Sequence, residues 1–517
     1  MNRRFLARRL AALSLALLPA LAAPAPARAQ AAGREAAAAA ALERLRGSPP
    51  RLYAFLREMP KGGDLHSHLS GAVYAESFIR WAVEDGLCIS RRALSIVYPP
   101  CTFTADTVAA DSAYSSQALY DALVDAWSMR NWNAARISGH DQFFNTFGKF
   151  GATYRRVGDE LAEAAHRASE GRVGYLELMQ TADGGVAASL GARVLGPNAF
   201  APGTTPDFAA YRQALLQGGL ANAVAAGRQN LTSVEARRDT VLRCRTAQAD
   251  PGCAVEVRWL YQVARGRPPQ QVFAQILTGF ELAKADPRVV GFNLVMPEDG
   301  RISMRDFTLH MQMIDALHRY YPDVRISLHA GELAPGLVPP EGMRFHIRQS
   351  VELGHASRIG HGVDVLYEDR PQELMREMAR RGVLVEIALT SNDGILGIRG
   401  KDHPLAAYRA AGVPTALATD DEGVARSEMT REWVKAVEEQ GLGYRDLKAM
   451  ARASLEHAFV EGASLWRDGR SFVPVAACAP AAGGFAGSRC AAFAASSTRA
   501  RLQRDLELGF RDFEARQ

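Results

Sequence analysis

Two histidines one residue apart, His66 and His68, follow a short apolar run near the start of the chain. Side chains at positions i and i+2 of a β-strand point to the same face, so both imidazoles can reach one metal ion. A His-x-His pair on its own is also compatible with two unrelated polar neighbours on a strand. The pair becomes stronger evidence for a metal site because His329, His361 and Asp420 follow later runs of strand-like sequence.

Eight short runs rich in β-branched and apolar residues predict eight β-strands. The runs cover residues 63–69, 173–179, 255–263, 289–295, 324–329, 357–361, 383–389 and 415–419. Helical patterns lie between most of them, including residues 140–170, 268–285 and 305–320. This alternation predicts an α/β fold, a closed (β/α)8 barrel of the TIM type. A doubly wound open sheet is the alternative, although no Gly-x-Gly-x-x-Gly turn follows the first strand.

Each candidate ligand stands at or just after the end of a predicted strand. The carboxyl ends of parallel barrel strands open at one mouth, so a barrel brings all five side chains together. Several imidazoles with one carboxylate suit zinc, and a catalytic zinc site keeps one position for water. Binuclear metal hydrolases with this barrel carry a carbamoylated lysine on the fourth strand, and residues 289–295 contain no lysine. The sequence therefore predicts one zinc ion per chain.

Glu332 lies three residues after His329, across the small residues Ala330 and Gly331. In this position a carboxyl group can face the same cavity without binding the metal. It can then move protons between the water at the metal and the substrate, as a general acid and base. A surface glutamate or a helix cap is the alternative interpretation, and the neighbouring His329 argues against it.

The chain begins with basic residues and an apolar stretch. Five arginines and no acid occur in residues 1–29, around the apolar residues 10–23, and Ala27-Arg28-Ala29 has the small-x-small pattern of a cleavage site. We expect a secretory signal peptide over residues 1–29, because a membrane anchor needs a longer run and Pro19 interrupts this one. An Ala-rich spacer or helix over residues 30–48 follows, and the protein is expected to be exported, either periplasmic or secreted.

The formal net charge of +5 arises from this leader. Without its five arginines the chain has 56 basic and 56 acidic residues, so no electrostatic signal for nucleic acid remains. No later stretch reaches about 18 uninterrupted apolar residues, and we expect no membrane partner after cleavage of the leader.

Several segments lie outside the regular alternation of strands and helices. The barrel domain is expected over residues 49–467, with long insertions over about residues 81–136 and 182–254. Residues 468–517 form a C-terminal tail that ends in a charged helix over residues 497–516.

Each insertion, and the tail, contains one pair of cysteines. The pairs are Cys88 with Cys101, Cys244 with Cys253, and Cys478 with Cys490. An even number of cysteines in an exported chain predicts disulfides within these pairs, and six free buried thiols are the alternative. None of the pairs has the Cys-x-x-Cys spacing of a zinc site.

Four segments resemble the motifs of the adenosine/AMP deaminase family, in the family's order and at comparable spacing. They are His66-Ser67-His68, Ser327-Leu328-His329-Ala330-Gly331-Glu332, Arg358-Ile359-Gly360-His361-Gly362 and Thr419-Asp420-Asp421. The resemblance covers about residues 55–465 and leaves out the tail. The leader, the cysteines and the insertion after the second strand look most like the secreted, growth-factor-type members.

The resemblance implies a barrel of the metal-dependent hydrolase class and a role for each matching residue. The zinc ligands that it implies are His66, His68, His329 and Asp420. Glu332 protonates a purine ring nitrogen, and His361 orients the attacking hydroxide. Asp421 forms a hydrogen bond with a second ring nitrogen. The implied reaction is hydrolytic deamination at C6 of an adenine nucleoside.

Two positions depart from the family pattern. An Asp-Gly pair usually follows the His-x-His motif and contacts a ribose hydroxyl, whereas this chain has Ser70-Gly71. A glycine usually approaches the purine after the fourth strand, whereas this chain has Met296, whose backbone N–H remains available. We therefore expect Ser70 and Met296 in the substrate site, with relaxed ribose selectivity. Three phenylalanines either form the family's apolar lid or pack a helix on the barrel: Phe143, Phe144 and Phe147.

These expectations combine into one function, the zinc-dependent deamination of adenosine or 2′-deoxyadenosine to the inosine product and ammonia. A deaminase of a modified adenine nucleoside or of another aminopurine is the alternative among enzymes. A nucleoside-binding or signalling module without catalysis is the alternative of a different class. Glu332 argues against that module, because a binding protein needs no proton shuttle. The sequence leaves the oligomeric state open.

Overall fold

The computed structural model describes residues 25–201 and 203–517. The predicted signal peptide therefore lies almost entirely outside the described residues and stays a prediction. The first helix, Ala25–Leu45, begins within the last residues of that segment and continues through most of the predicted Ala-rich spacer. Within the described ranges, no helix combines the length and apolar character needed to cross a membrane.

The described part of the chain contains eleven β-strands. They are β1 Gly62–His68, β2 Cys88–Ser90, β3 Ser95–Val97, β4 Thr107–Ala109, β5 Val173–Gln180, β6 Glu256–Ala264, β7 Val289–Val295, β8 Arg325–Ala330, β9 Arg358–His361, β10 Leu384–Ile387 and β11 Thr415–Leu417. Eight of them form one sheet in the order β1-β5-β6-β7-β8-β9-β10-β11, in which every pairing is parallel.

A parallel bridge between Ser67 in β1 and Asp420 just after β11 brings the two edges of this sheet together. The sheet is therefore the predicted (β/α)8 barrel, and the open doubly wound sheet is excluded. All eight predicted strands are present, with ends shifted by at most two residues. Their side chains are buried along almost the whole length, as expected for parallel strands covered by helices.

Helices surround the barrel and build the segments outside it. The first ten are α1 Ala25–Leu45, α2 Pro49–Arg57, α3 Ala75–Glu84, α4 Ser112–Ser115, α5 Gln117–Ala126, α6 Gly139–Phe150, α7 Val157–Glu170, α8 Val186–Leu195, α9 Phe208–Gln217 and α10 Leu220–Val241. The others are α11 Pro269–Ala285, α12 Arg301–Arg305, α13 Phe307–His318, α14 His346–Glu352, α15 Pro371–Arg381, α16 Leu389–Leu396, α17 Leu405–Ala410, α18 Met429–Glu438, α19 Tyr444–His457, α20 Ser488–Ala495 and α21 Thr498–Glu514.

The single helix predicted over residues 140–170 is wrong, because the structure divides it into α6 and α7. A 3-10 segment, Gly151–Arg156, lies between them. Thr153 in this segment has φ −85° and ψ 15°, outside the helical range, and its hydroxyl donates to the carbonyl of Phe150. This local bond competes with the regular helical pattern. The helix predicted over residues 305–320 corresponds to α13, Phe307–His318.

The insertions form layers of their own beside the barrel. After β1, strands β3, β2 and β4 pair antiparallel in that order, and α3, α5 and α6 share an apolar cluster that includes Phe78, Trp81 and Phe150. After β5, helices α8, α9 and α10 pack on α11, and at the end of the chain α21 packs on α1 and α19. The disulfide predictions are confirmed, with the bonds Cys88–Cys101, Cys244–Cys253 and Cys478–Cys490.

Candidate active site

The candidate ligands predicted from the sequence converge at the carboxyl-terminal mouth of the barrel. His66 and His68 come from β1, His329 from β8, His361 from β9, and Asp420 from the segment after β11. The metal-binding atoms of His66, His329, His361 and Asp420 lie within 4.8 Å of one another, and all four residues are buried. We call these four residues and His68 the histidine–aspartate cluster.

Three short distances define the centre of the cluster. His68 Nε2 lies 3.2 Å from His329 Nε2. Asp420 Oδ1 lies 3.4 Å from His66 Nε2 and 3.3 Å from His68 Nε2. Ligand atoms about 2.0–2.1 Å from a tetrahedral ion lie about 3.3–3.4 Å apart. Three imidazole nitrogens and one carboxylate oxygen are therefore spaced as ligands of one small metal ion.

Buried acceptors hold the outer ring nitrogens of two of these histidines. His66 Nδ1 lies 2.6 Å from Glu386 Oε2, and His329 Nδ1 lies 2.8 Å from Asn293 Oδ1. An acceptor at Nδ1 places the ring proton there, so the Nε2 lone pair of each ring points to the centre of the cluster. Lone pairs and a carboxylate at these distances repel one another, and a cation between them removes that repulsion. The residues present therefore fit a metal ion.

The acceptors that orient these two rings are themselves fixed in place. Asn293 Oδ1 also accepts the backbone N–H of His329 at 2.9 Å. Glu386 accepts a hydrogen bond from Arg358 Nε at 2.6 Å and one from Ser327 Oγ at 3.0 Å. Burial raises the pKa of Glu386, but the charge of Arg358 and the hydrogen bonds with His66 and Ser327 together bring this pKa below its usual value. Glu386 is thus an ionised acceptor for the ring of His66.

Asp420 reaches the cluster through an unusual backbone conformation. Its φ of +59° lies in the left-handed region, and its backbone N–H donates to the carbonyl of His66 at 2.9 Å. Ser391 Oγ donates to Asp420 Oδ2 at 2.7 Å. The second carboxylate oxygen, Oδ1, has no hydrogen-bond partner within the described residues. That oxygen faces His66 and His68 and is free to bind a metal.

Glu332 lies beside the cluster on the loop after β8. Gly331 has a φ of +76°, which glycine adopts without strain, and the turn there lets Glu332 line the cavity next to the cluster. Glu332 Oε1 lies 3.7 Å from His361 Nε2. Burial, and next the negative charge of Asp420, raises the pKa of Glu332 well above its usual value. These surroundings favour the protonated form of the carboxyl group beside the cluster.

The predicted substrate residues lie in the wall of a cavity of about 510 Å³ that opens from the cluster. They are Ser70, Met296 and Asp421. Three phenylalanines contribute both to this wall and to the apolar cluster of the first insertion: Phe143, Phe144 and Phe147. A cavity of this volume accommodates a nucleoside-sized molecule.

Met296 keeps the backbone conformation of a glycine at a position where the family usually has one. Its φ is +85°, which a residue with a side chain rarely adopts. The side chain lies against Gly266, where an added Cβ would stand 2.8 Å from Met296 Cε. Arg265 Nε donates to the carbonyl of Met296 at 3.1 Å, and Arg265 Nη1 donates to the carbonyl of His329 at 3.0 Å. Gly266 has no side chain, and this leaves room for the side chain of Met296.

The carboxyl group of Asp421 occupies space that Gly71, which has no side chain, leaves open. A Cβ at Gly71 would lie 1.5 Å from Asp421 Oδ1, so no other residue is compatible with this carboxyl position. Burial, and next the charge of Asp420, raises the pKa of Asp421 well above its usual value. A protonated Asp421 can donate a hydrogen bond to an acceptor in the cavity.

Glu160 on α7 also lines the cavity, and the sequence analysis did not single it out. Its exposed fraction is 4%, and the described part of the chain gives its side chain no hydrogen bond or ion pair. Burial, and then the charges of Glu163 and Asp159, raises the pKa of Glu160 to about 8. It belongs to no motif and follows the ordinary helical pattern, so no sequence signal marks it.

Other functional residues that the sequence analysis missed do carry a signal. Asn293 and Glu386 each interrupt an apolar strand, and Arg265 directly follows one. A polar side chain inside such a run must find a buried partner. That requirement marks these positions even though it does not identify the partner.

Comparisons with known proteins agree with this geometry. The family model described as adenosine deaminase matches residues 228–464. An adenine deaminase of Rhizobium leguminosarum bv. trifolii is 31% identical over 184 residues, which are 35% of this chain and 51% of that protein. An adenosine deaminase of Yersinia pseudotuberculosis is 36% identical over 138 residues, 26% of this chain and 38% of that protein. The chain thus spans about half the length, or less, of these curated relatives.

Among solved structures, the N6-methyl-AMP deaminase of Arabidopsis thaliana is similar over 79% of this chain and 94% of its own. The identity is 20% and the TM-score is 0.47.

Proposed function

We propose a function on the premise that this chain belongs to the adenosine/AMP deaminase family. It is a zinc-dependent enzyme that deaminates adenosine or 2′-deoxyadenosine to the inosine product and ammonia. The observation that carries the proposal is the placement of Glu332 and Asp421 in one cavity with the histidine–aspartate cluster. A metal-binding cluster alone is compatible with many hydrolases. A protonated carboxyl beside the cluster and a second carboxyl in the same cavity can each donate to a ring nitrogen. This arrangement suits the hydrolysis of a nitrogen heterocycle.

His66, His68, His329 and Asp420 would hold the zinc ion, which would make a water acidic enough to attack at neutral pH. Glu332 protonates the ring nitrogen next to the reacting carbon, and this makes C6 more electrophilic. The C6–oxygen bond forms, the C6–nitrogen bond of the amine breaks, and the amine leaves as ammonia after it has taken up a proton. After it has given its proton to the ring nitrogen, the Glu332 carboxylate can take up the proton of the oxygen bound to C6 and pass it to the leaving amine.

Two residues orient the reactants. His361, whose Nε2 lies 3.7 Å from Glu332 Oε1, holds the attacking oxygen on the correct side of the purine. Asp421 donates to a second ring nitrogen and so selects a purine with an acceptor at that position. Both contacts address the base and the attacking water, and neither depends on the sugar.

The sugar is the part of the substrate for which this chain departs from the family. Ser70 stands where the family has a carboxylate, and a neutral hydroxyl forms a weaker hydrogen bond to a ribose hydroxyl. Glu160 offers a replacement, because it is a buried acid in the same cavity without a partner of its own. We infer that Glu160 binds the sugar through the ring oxygen or the 3′-hydroxyl, which adenosine, 2′-deoxyadenosine and 5′-deoxyadenosine share.

The free base adenine is the second candidate substrate, because several of the relatives carry the name adenine deaminase. An enzyme for the base has no use for a sugar-binding residue, so Glu160 separates the two candidates. Glu160→Ala should lower kcat/KM for adenosine by about 5- to 150-fold, the effect of losing a buried hydrogen bond. It should leave kcat/KM for adenine unchanged. Equal effects on both compounds would indicate that Glu160 supports only the fold.

Ammonia release from a panel of substrates tests the proposed function. The panel contains adenosine, 2′-deoxyadenosine, 5′-deoxyadenosine, N6-methyladenosine, adenine and AMP. We expect the first three to react at comparable rates, because Ser70 weakens ribose selectivity. We expect AMP to react poorly, because no cluster of arginines occurs near Ser70 in the sequence. A strong preference for AMP, or no reaction with any member of the panel, would overturn the proposal.

We also propose that the protein is exported. Three disulfides suit an oxidising compartment, and the predicted leader would direct the chain there. Alkylation of the unreduced protein, recovered from the periplasm or the medium, should label no thiol. Recovery of the reduced chain in the cytoplasm alone would contradict this proposal.

A further inference from the structure

His361 differs from the other histidines of the cluster in the partner at its outer nitrogen. His66 and His329 have oxygen acceptors there, Glu386 Oε2 and Asn293 Oδ1. His361 Nδ1 instead lies 3.0 Å from the amide nitrogen Nδ2 of Asn392. An amide nitrogen can only donate, so this contact requires a lone pair on His361 Nδ1.

The orientation of the Asn392 amide follows from its other neighbour. Asn392 Oδ1 lies 3.1 Å from His403 Nε2, and the backbone N–H of Leu405 donates to His403 Nδ1 at 3.2 Å. A backbone N–H is always a donor, so His403 Nδ1 carries a lone pair and its ring proton is on Nε2. That proton is donated to Asn392 Oδ1, and the Nδ2 of the amide must then face His361.

The opposite orientation of the amide is excluded by the same contacts. Rotation of Asn392 by 180° about χ2 would place Nδ2 against His403 Nε2, two donors against each other. The clash would be relieved only by a proton on His403 Nδ1, which would then oppose the N–H of Leu405. Burial lowers the pKa of His403 to about 4, so an additional ring proton is not available either.

We propose that Asn392 and His403 are positioning residues that hold His361 with its proton on Nε2. His361 then presents an N–H to the centre of the cluster and acts as a hydrogen-bond donor there. The other histidines present lone pairs, so His361 does not bind the metal although its Nε2 lies among the ligand atoms. The effect on turnover rests on the proposed deaminase function, whereas the tautomer itself does not.

Burial and neighbouring contacts fix Asn392 and His403 in these orientations. Asn392 is fully buried, and the exposed fraction of His403 is 2%. Ser391, the neighbour of Asn392 in the first turn of α16, donates to Asp420 Oδ2 at 2.7 Å. Two consecutive residues thus orient two different groups of the cluster. Ser391 orients the carboxylate of Asp420, which binds the metal, and Asn392 orients the imidazole of His361, which does not.

Nitrogen NMR of the unmodified protein tests the tautomer directly. The chain has twelve histidines, so selective 15N-histidine labelling of the zinc-loaded enzyme gives few signals. Long-range 1H–15N correlations distinguish a protonated from an unprotonated ring nitrogen, and the spectrum of His361→Gln assigns the signal. We expect the proton of His361 on Nε2, and those of His66 and His329 on Nδ1. A proton on His361 Nδ1 would refute the proposal.

Substitution of Asn392 gives the functional test. Asn392→Asp replaces the donor by a carboxylate acceptor, so the proton of His361 should move to Nδ1. A wrong histidine tautomer can lower kcat by about 10⁴-fold. We expect kcat to fall by at least about 10²-fold, with little change in KM, because the substrate still contacts the same groups. An unchanged tautomer in Asn392→Asp would contradict the proposal.

The variants of His403 separate positioning from a general loss of packing. His403→Gln keeps a donor that can reach Asn392 Oδ1 and should retain most of kcat, whereas His403→Leu should not. The same two substitutions at His310 are the matched control, because this histidine is fully buried and its ring nitrogens have no hydrogen-bond partner within the described residues. Equal losses for His403→Gln and His403→Leu would refute positioning. The expected tautomer without deamination of any purine would refute the proposed function alone.

Discussion

The carboxylate of Glu298 accepts the backbone N–H of Glu332 at 2.8 Å through Oε2. Its other oxygen accepts the backbone N–H of Gly331 at 3.0 Å and a hydrogen bond from His346 Nδ1 at 2.6 Å. Glu298 is fully enclosed, with an exposed fraction of 1%, and the guanidinium of Arg265 lies 3.9 Å away. One buried carboxylate therefore fixes the loop that carries the proposed proton shuttle.

We predict that Glu298→Gln destabilises this loop. A glutamine offers one acceptor oxygen, and its NH₂ group would face a backbone N–H, so at least one buried donor loses its partner. The expected cost is about 1–3 kcal/mol in the free energy of unfolding. The metal content should not change, because Glu298 touches no ligand, but kcat should fall. Denaturant unfolding and metal analysis check this prediction, and a fully active variant of unchanged stability would contradict it.

A different outcome is predicted for Glu332 itself. Glu332→Gln preserves the shape of the side chain but cannot exchange a proton with the ring nitrogen. We expect the zinc to be retained and kcat to fall by about 10²–10⁴-fold, the usual contribution of a general acid and base. Elemental analysis and steady-state kinetics measure the two quantities. A variant that loses its metal would show that Glu332 is a ligand.

Metal content gives a third prediction. The two groups of candidate ligand atoms overlap at Asp420, and β7 carries Asn293 but no lysine that could bridge two ions. We expect one zinc ion per chain, and we expect His329→Ala to lose both the metal and the activity. Removal of zinc with a chelator should lower the thermal midpoint, because the native state alone binds the ion. Two tightly held ions, or full activity without metal, would be incompatible with this site.

Much of this architecture could be predicted from the sequence, because strand periodicity and the spacing of the ligands are local. The eight barrel strands and the convergence of His66, His329 and Asp420 followed from runs of apolar residues and from the single mouth of a parallel barrel. The division of the helix over residues 140–170 could not be predicted in this way. Its apolar spacing continues across the break, whereas the backbone leaves the helical range at Phe150, Thr153 and Arg156.

The partners of the ligands could not be predicted either, because they are far away in the chain. Glu386 is 320 residues from His66, and Asn293 is 36 residues from His329. A polar residue within a strand indicates that a partner exists, but its identity depends on the register of neighbouring strands. Asn392 is a further case, since its role appears only when the hydrogen bonds on both sides of its amide are known.

Stability as a function of pH provides a last prediction, at Glu160. Its pKa is raised to about 8 in the folded chain, mainly by burial, against about 4.3 in an unfolded chain. The folded state therefore binds this proton more tightly, and the free energy of unfolding should fall as the pH rises between these two values. Glu160→Gln carries no titratable proton there. It should match the wild-type thermal midpoint near about pH 4 and exceed it above about pH 8.

A substitution on the same helix is the control for this experiment. Glu163 forms an ion pair with Arg167 at 2.7 Å, so Glu163→Gln loses an attraction that we expect to exceed the repulsion it relieves at Glu160. It should be no more stable than the wild type at any pH. If the gain of Glu160→Gln is the same at both ends of the pH range, its cause is packing. Glu160 would then not be the neutral acid that we infer in the wall of the substrate cavity.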